Sequence, residues 1–592
     1  MSLDSLRNEV ATTAPDPAPN RRRFLAYFSS IGLSSTLLPG VLWAKLQGHP
    51  TQLVTASVLR DALTVAGLEF TDQEEQEILQ GVNQNLSRYQ ALRTIPIDPT
   101  LAPPLYFNPI VPGTRVERQR KPFRTSQLSS LHRPTNLEDA AFWPTLHLGY
   151  LIKTRQVKSL ELTEMYLGRL KRYNPKLNCV VTLTEDLAIR QARRADREIA
   201  AGSYRGPLHG IPWGCKDIIS VPGYPTTWGS DAFRNQILDT EATVPRLLRK
   251  SGAVLIAKLS TGELAGGDQW FGGRTNNPWD PMEGSSGSSA GPACATAAGL
   301  VAFAIGTDTG GSILCPSSIC GTTGLRPTFG RVSRYGVMTR SWTQDRIGPL
   351  CRTAEDCALV LRAITRPDEL DLSVIDLPFN WDADIEIQNL RVGYPESAFD
   401  ENGRSEDWKQ NDQAVLNELR SLGIKLEPFE MPKFLVDVLT LVGTVELGAS
   451  FDEFLRTDQE TNLTNKNRAK SFRESRVIPA VEYIQAQRAR AAMMRRFAEI
   501  VSRFDVVVAP FVNMRATGVA FWDGFVGTPI YDHFRVSCDC GYPAVSVPNG
   551  FTFDGKPTSI MFVGGLYREA QMLALAKAYQ ERAGWYQKHP VL

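Results

Sequence analysis

The sequence is poor in histidine and cysteine, with six histidines and nine cysteines in 592 residues. It contains no HExxH motif and no pair of CxxC motifs, so zinc chemistry and histidine-dependent catalysis have little support. The 65 lysines and arginines nearly balance the 63 aspartates and glutamates, which excludes the charge excess of typical nucleic-acid-binding or polybasic membrane proteins. With 42% hydrophobic and 22% charged residues, the composition is that of a large globular protein.

Long apolar runs are also missing beyond the first fifty residues, where none approaches the roughly eighteen residues that cross a bilayer. The N-terminus differs, because Asn-Arg-Arg-Arg-Phe-Leu at 20–25 precedes a mildly apolar stretch at 27–43. This order resembles a twin-arginine export signal, with a plausible cleavage site at 42–44. We therefore expect residues 1–44 to direct export, most simply to a bacterial periplasm, and the mature chain to have no membrane span. A disordered basic tail and an uncleaved anchor helix are the alternatives.

The remaining chain divides by composition into a preface and a long main region. Within residues 45–135, helical periodicity at 51–94 gives way to a proline-rich stretch at 95–134, which predicts an extended arm or linker. In residues 136–592, helical segments alternate with short β-rich runs. This alternation predicts an α/β fold in which helices cover a mixed sheet.

One lysine lies in an unusual setting. Residues 210–219 form a short apolar strand that carries Lys216 beside Asp217. Most lysines in such a place are ion-pair partners. A second interpretation is a neutral base, because burial penalises the ammonium and lowers its pKa.

Two glycine- and serine-rich segments follow. Residues 284–292 read Gly-Ser-Ser-Gly-Ser-Ser-Ala-Gly-Pro and lead into a helix of small side chains, where backbone segments can approach closely. Residues 306–317 follow an apolar run and predict a strand that ends in a glycine turn, with several N–H groups directed at one point. Because no lysine follows the glycines, this turn favours an oxyanion over a phosphate. A serine at its edge can attack a carbonyl whose developing charge the turn stabilises.

A more familiar motif overlaps the first segment. Residues 287–291 match Gly-x-Ser-x-Gly, the nucleophile elbow of α/β-hydrolases. That motif needs a strand before it, whereas residues 277–281 are turn-like, and it needs a later histidine, for which His533 and His589 are the candidates. We reject this interpretation.

Together these motifs resemble the amidase signature family, hydrolases that use two serines and a lysine. The resemblance covers about residues 140–585 and is specific, because it extends to further motifs at 277–279, 324–336, 345–349 and 541–548. It implies, for residues 136–592, a large mixed, twisted β-sheet with helices on both faces. It also implies a reaction without metal or organic cofactor.

The resemblance assigns roles to particular residues. Ser312 falls on the nucleophile, and the family's spacing between its two serines then makes Ser288 the bridging serine. Lys216 falls on the catalytic lysine, and Ser289 on a neighbouring family serine. The oxyanion hole falls on four consecutive backbone amides, those of Thr309, Gly310, Gly311 and Ser312. The implied mechanism needs a neutral Lys216, so Asp217 must point elsewhere.

The sequence also departs from the family. Leu314 stands where many members have an arginine, which favours an apolar acyl pocket. Cys315 is a conceivable nucleophile, but the glycine turn presents Ser312. We expect Cys538 and Cys540 to be packing residues or a redox-sensitive pair instead of metal ligands. Two interpretations remain for Trp270, Phe271, Trp342 and residues 430–480, which either shape the acyl pocket or belong to the core.

The implied function is hydrolysis of a small-molecule amide by an exported enzyme, with no nucleic-acid partner. One alternative is the amidotransferase A-type subunit, which releases ammonia for tRNA-dependent transamidation, although an export signal argues against it. A non-catalytic binding module is a second alternative, yet it predicts loss of a triad residue and all three are present. Finally, the basic segment Arg468 to Arg503 predicts a solvated helix face.

Overall fold

The computed structural model describes residues 54–95, 107–400, 404–511 and 529–592, so the predicted export signal at 1–44 lies outside the described residues. Two compact units divide between Ser87 and Arg88. Helix α1 (Ala56–Val65) belongs to the first unit, and α2 (Asp72–Arg93) begins there. The domain boundary near residue 135 stays a prediction. Within the described ranges, no helix combines the length and apolar character that a membrane span requires.

The second unit is built on an eleven-stranded sheet with the order β1-β3-β2-β6-β8-β7-β12-β13-β11-β9-β10. Its strands are β1 (Val180–Leu183), β2 (Pro212–Lys216), β3 (Val254–Leu259), β6 (Phe303–Asp308), β7 (Thr323–Arg326), β8 (Arg346–Cys351), β9 (Val392–Pro395), β10 (Leu426–Phe429), β11 (Val506–Pro510), β12 (Ala544–Phe551) and β13 (Pro557–Gly564), and β4 (Gln269–Trp270) and β5 (Gly273–Arg274) form a separate pair. Parallel pairs join β3, β2 and β6 and also β11, β9 and β10, while the remaining pairs are antiparallel.

The second unit also contains helices that cover this sheet and helices that pack on one another. They are α3 (Thr145–Lys153), α4 (Ser159–Leu177), α5 (Glu185–Ala200), α6 (Thr243–Ser251), α7 (Ala290–Ala297), α8 (Leu314–Cys320), α9 (Ala354–Ile364), α10 (Glu396–Phe399), α11 (Glu406–Ser421), α12 (Thr440–Ser450), α13 (Asp452–Arg456), α14 (Lys466–Arg476), α15 (Ala480–Val501), α16 (Pro529–Asp539) and α17 (Glu569–Ala583). Every residue of β3, β6 and β8 is buried. Because side chains alternate across a strand, such burial requires cover on both faces. The predicted α/β fold with a mixed, helix-covered sheet is confirmed.

The sheet topology places the carboxyl ends of β2 and β6 side by side. The two strands are parallel neighbours, with Cys215 opposite Ile305. Their last residues, Lys216 and Asp308, therefore reach the same edge of the sheet, and a short turn leads from β6 into α8. Helix α7 contacts both strands. A Cβ at Gly291, in its first turn, would lie 2.5 Å from the Ser260 nitrogen, which explains the small residues at this junction.

The basic segment from Arg468 to Arg503 forms α14 and α15, and the expectation of a solvated face is wrong for part of it. Arg495 and Arg496 are exposed, but Arg490 is fully buried. The Arg490 guanidinium donates to the carbonyl of Asp539 at 2.6 Å and that of Thr343 at 2.9 Å. Buried carbonyls need donors, and Arg490 supplies them from the helix.

Candidate active site

Lys216 lies at the end of β2 with no solvent exposure. Its Nζ lies within hydrogen-bond distance of three hydroxyl oxygens: 2.8 Å from Ser288 Oγ, 2.8 Å from Thr307 Oγ1 and 3.2 Å from Ser289 Oγ. Burial lowers the pKa of Lys216 to about 7, although the charges of Asp308 and Asp345 oppose the shift. A substantial fraction of this amine is therefore neutral near pH 7.

Asp217 points away from Lys216. Its Oδ1 lies 2.7 Å from the Nζ of Lys258, and both groups are fully buried. Its Oδ2 accepts a hydrogen bond from the backbone N–H of Thr227 at 3.0 Å. The carboxylate thus compensates the charge of Lys258, and the hydrogen-bond partners of Lys216 Nζ within the described ranges are hydroxyl groups.

Ser289 connects the glycine-serine loop to the turn after β6. Its backbone N–H donates to the Ser312 carbonyl at 3.1 Å. Its Oγ donates to the Thr307 carbonyl at 3.1 Å and accepts from the Thr307 N–H at 3.2 Å. Ser288 is buried and bonds Lys216 Nζ, and the bond from the Ser289 N–H holds the half-buried Ser312 on the adjacent segment.

The turn after β6 is shaped by Asp308. Its carboxylate accepts hydrogen bonds from the N–H groups of Gly311 at 2.7 Å and Ile313 at 2.8 Å. The amides of Gly310 and Ser312 have no acceptor among the residues that the structure describes. They remain available to a ligand oxygen, whereas the Gly311 amide is already engaged.

Gly311 could not be another residue. It has φ +119°, and a Cβ there would lie 2.6 Å from Cys315 Sγ and 2.7 Å from Phe534 Cζ. A side chain would therefore be strained by the backbone conformation and would overlap its neighbours.

A cavity of about 170 Å³ adjoins these groups. Its lining includes Thr307 and Thr309, and also Tyr335, Arg340 and Trp342. Trp342, for which the sequence allows a pocket or a core position, thus lines a cavity. Trp270 is buried instead and packs edge-on against Phe271 with ring centroids 4.9 Å apart.

The cysteines are all buried and free. Burial raises the pKa of the Cys315 thiol well above its usual value, so that thiol is a poor nucleophile. The Cys538 Sγ donates to the Thr309 carbonyl at 3.1 Å and accepts from Arg346 Nη2 at 2.9 Å. Cys538 therefore packs against the turn. Leu314 is fully buried as well and does not line the cavity.

Sequence reasoning missed Thr307, Asp308 and Arg340. Thr307 and Asp308 lie in the motif at 306–317, and a period of two along β6 separates their side chains onto opposite faces. That signal would have placed a hydroxyl on one face and a carboxylate on the other. No comparable local signal marks Arg340, because its setting depends on packing between distant segments.

Comparison with known proteins agrees with this geometry. The family model described as Amidase matches residues 161–573. The A-type subunit of glutamyl-tRNA(Gln) amidotransferase from Nitrosomonas europaea is 33% identical over 475 residues, covering 75% of this chain and 97% of that protein. The crystal structure of native peptide amidase from Stenotrophomonas maltophilia is 30% identical with a TM-score of 0.64, covering 76% of this chain and 98% of that one. The chain therefore belongs to the amidase family, enzymes that cleave the C–N bonds of amides.

Proposed function

We propose that this protein is a self-sufficient amidase that hydrolyses a carboxylic amide to an acid and an amine through an acyl-enzyme on Ser312. The observation that carries the proposal is the environment of Lys216. Its Nζ is buried, lies 2.8 Å from Ser288 Oγ, and has no carboxylate partner among the described residues. A buried amine that can be neutral at pH 7 can act as a general base.

In the proposed reaction, Lys216 accepts a proton from Ser288 while Ser288 accepts one from Ser312. The Ser312 oxygen attacks the carbonyl of the substrate amide. The backbone N–H groups of Gly310 and Ser312 stabilise the resulting oxyanion, and Thr309 directly precedes them in the same turn. The Gly311 amide, also assigned to the oxyanion hole by the family pattern, donates to Asp308 instead. The relay then returns the proton to the leaving amine.

Water completes the cycle. It attacks the acyl-enzyme ester with the same lysine and bridging serine as base, which releases the acid and restores the Ser312 hydroxyl. The sum is one amide and one water consumed, and one acid and one amine formed. No residue in this scheme changes its oxidation state.

The main alternative is an amidotransferase subunit that passes ammonia to a partner. The Nitrosomonas europaea relative bears such a name, and its similarity supports this alternative. The peptide amidase of Stenotrophomonas maltophilia is nearly as similar and matches over a similar share of the chain. The twin-arginine-like order at 20–25 favours an exported hydrolase, because transamidation on tRNA takes place in the cytoplasm.

A labelling experiment tests the nucleophile. The purified full chain is treated with a fluorophosphonate, beside Ser312→Ala and Cys315→Ala. We expect labelling of wild type and of Cys315→Ala, and none of Ser312→Ala. Labelling that survives Ser312→Ala would exclude Ser312, and an unlabelled wild type would favour the binding-module alternative.

A second experiment distinguishes a hydrolase from an amidotransferase component. The purified chain, without added subunits, is assayed for acid and amine release from aliphatic, aryl and peptide amides and from glutamine. Turnover of amides other than glutamine supports the proposal. Turnover confined to glutamine, or dependent on added partner subunits, contradicts it.

We also propose that residues 1–44 direct export and that the mature catalytic region is 136–592 with a preface at 45–135. Replacing Arg21 and Arg22 by lysine should retain the protein in the cytoplasm, since twin-arginine transport needs the pair. Cell fractionation measures this. A chain that stays cytoplasmic even with both arginines intact contradicts export.

A further inference from the structure

Arg340 forms no ion pair with any carboxylate of the described residues. It lines the cavity beside Thr307 and Thr309. Its Nε is buried and makes no hydrogen bond. Arg340 is half-buried, and a charge that is partly withdrawn from water is normally paired, so its guanidinium beside a candidate active site is suited to an anionic ligand.

Arg468, on α14, is a second cation of the same kind. It is 9% exposed, and its Nε is buried without a partner. The Arg468 guanidinium lies against Gly266, because a Cβ on that glycine would overlap its Nη2. The neighbouring residue Ala265 lines the same cavity as Arg340. Burial and then the charge of Arg340 lower the pKa of Arg468 to about 9. The two guanidinium groups therefore lie close enough to repel each other.

The nearby carboxylates are already engaged. Asp345 accepts hydrogen bonds from the Thr309 hydroxyl at 2.7 Å and from the backbone N–H groups of Arg340 and Ser341 at 2.8 and 2.9 Å. Asp371 also lines the cavity, but it pairs with Arg334 at 3.0 Å. The cavity keeps a surplus of positive charge at Arg340.

The position of this charge relates it to the reaction. Thr307 lines the cavity and bonds Lys216 Nζ, and Thr309 begins the turn that carries Ser312. A ligand in the cavity therefore contacts the strand residue that bonds Lys216 and the first residue of the turn that carries Ser312. The walls contributed by Tyr335 and Trp342 are aromatic and partly exposed, which suits an organic spacer.

We propose that Arg340, supported by Arg468, binds a carboxylate on the substrate, so that the preferred substrates are amides that carry a second, anionic end. The proposal rests on the proposed amidase function and specifies its substrate class. A guanidinium suits this task because its planar N–H groups match a carboxylate geometrically. The apolar acyl pocket expected from Leu314 is replaced here by a cationic one, since Leu314 is buried outside the cavity.

Binding to inactive protein gives the direct test. Ser312→Ala is titrated by calorimetry with ω-carboxy amides of two to six methylenes, each beside its neutral methyl-ketone isostere. N-acetyl ω-amino acids and their methyl-ketone isosteres test the case in which the carboxylate is on the amine part of the substrate. We expect the best carboxylate to bind at least tenfold more tightly than its isostere. Equal affinity across every pair would overturn the proposal.

Variants locate the binding group. In the Ser312→Ala background, Arg340→Met should reduce the carboxylate preference to less than threefold, and Arg340→Lys should restore part of it. Arg334→Lys is the matched control, because Arg334 lines the same cavity and a lysine there keeps the positive charge that pairs with Asp371; we expect the preference to persist. A preference that survives Arg340→Met in folded protein, as judged by near-ultraviolet circular dichroism, would refute the assignment.

Turnover by the Ser312-containing enzyme separates this inference from the proposed function. If carboxylate binding depends on Arg340 and the same amides are hydrolysed, both stand. If binding depends on Arg340 but no amide is hydrolysed and Ser312 is not labelled, the amidase proposal fails while the carboxylate site stands. If amides are hydrolysed with no preference for a carboxylate, the amidase proposal stands and the carboxylate site fails.

Discussion

The activity of Ser312 should rise with pH through the titration of Lys216. The pKa of Lys216 is lowered from 10.5 to about 7 by burial, a change of roughly 5 kcal/mol in the relative free energy of the charged and neutral forms. Because the base must be neutral, the second-order rate of inactivation by a neutral fluorophosphonate should follow the neutral fraction. It should be about one tenth of its plateau at pH 6 and about half at pH 7.

Two variants should move the midpoint in opposite directions. The charge of Arg340 lowers the pKa of Lys216, and that of Asp345 raises it. Arg340→Met should therefore move the midpoint to higher pH, and Asp345→Asn to lower pH. Inactivation assays between pH 5 and 10 measure all three profiles. A wild-type midpoint above pH 9, or a rate that falls as pH rises through 7, would refute the role of a neutral lysine.

Three further substitutions probe the groups around Lys216. Thr307→Val removes a hydroxyl that accepts from the ammonium, so the same midpoint should fall by about one pH unit, and an unchanged midpoint would contradict this contact. Gly311→Ala should abolish fluorophosphonate labelling because the added methyl meets Cys315 Sγ and Phe534; labelling at the wild-type rate would contradict the turn geometry. Asp217→Asn leaves the ammonium of Lys258 buried without its carboxylate. The free energy of unfolding should fall by about 3–5 kcal/mol, and the thermal unfolding temperature should fall with it. An unchanged temperature would show that this ion pair does not stabilise the fold.

Much of the fold could be predicted from local patterns. The alternation of helical and β-rich segments in 136–592 indicated the layered α/β class, and apolar runs such as Val254–Leu259 became fully buried strands. The order of eleven strands could not be predicted, because β12 and β13 lie at the end of the chain yet pair into the middle of the sheet. Such pairings depend on contacts between distant segments, which no local period encodes.

The cationic cavity illustrates the same limit. Arg340 and Arg468 lie more than a hundred residues apart in the sequence, and each is unremarkable in its own segment. The basic helices around Arg468 predicted a solvated face, which is the usual outcome for a run of arginines. Packing of α14 against neighbouring segments buried some of these charges. Whether each buried arginine has a carboxylate partner depends on the three-dimensional positions of the surrounding aspartates and glutamates.

The ion pair of Asp217 depends on strand alternation together with the register of β2 and β3. Successive side chains of a strand point to opposite faces, so Asp217, directly after Lys216, lies on the side of Cys215. Lys258 of β3 is opposite Cys215 in the parallel pairing of β2 with β3, and therefore shares that side. The single carboxylate between two buried lysines thus goes to Lys258. The partners of Lys216 Nζ are hydroxyl groups. Because the register pairs Asp217 with Lys258, Lys258 is a structural ion-pair partner, whereas Lys216 can lose its proton near neutral pH.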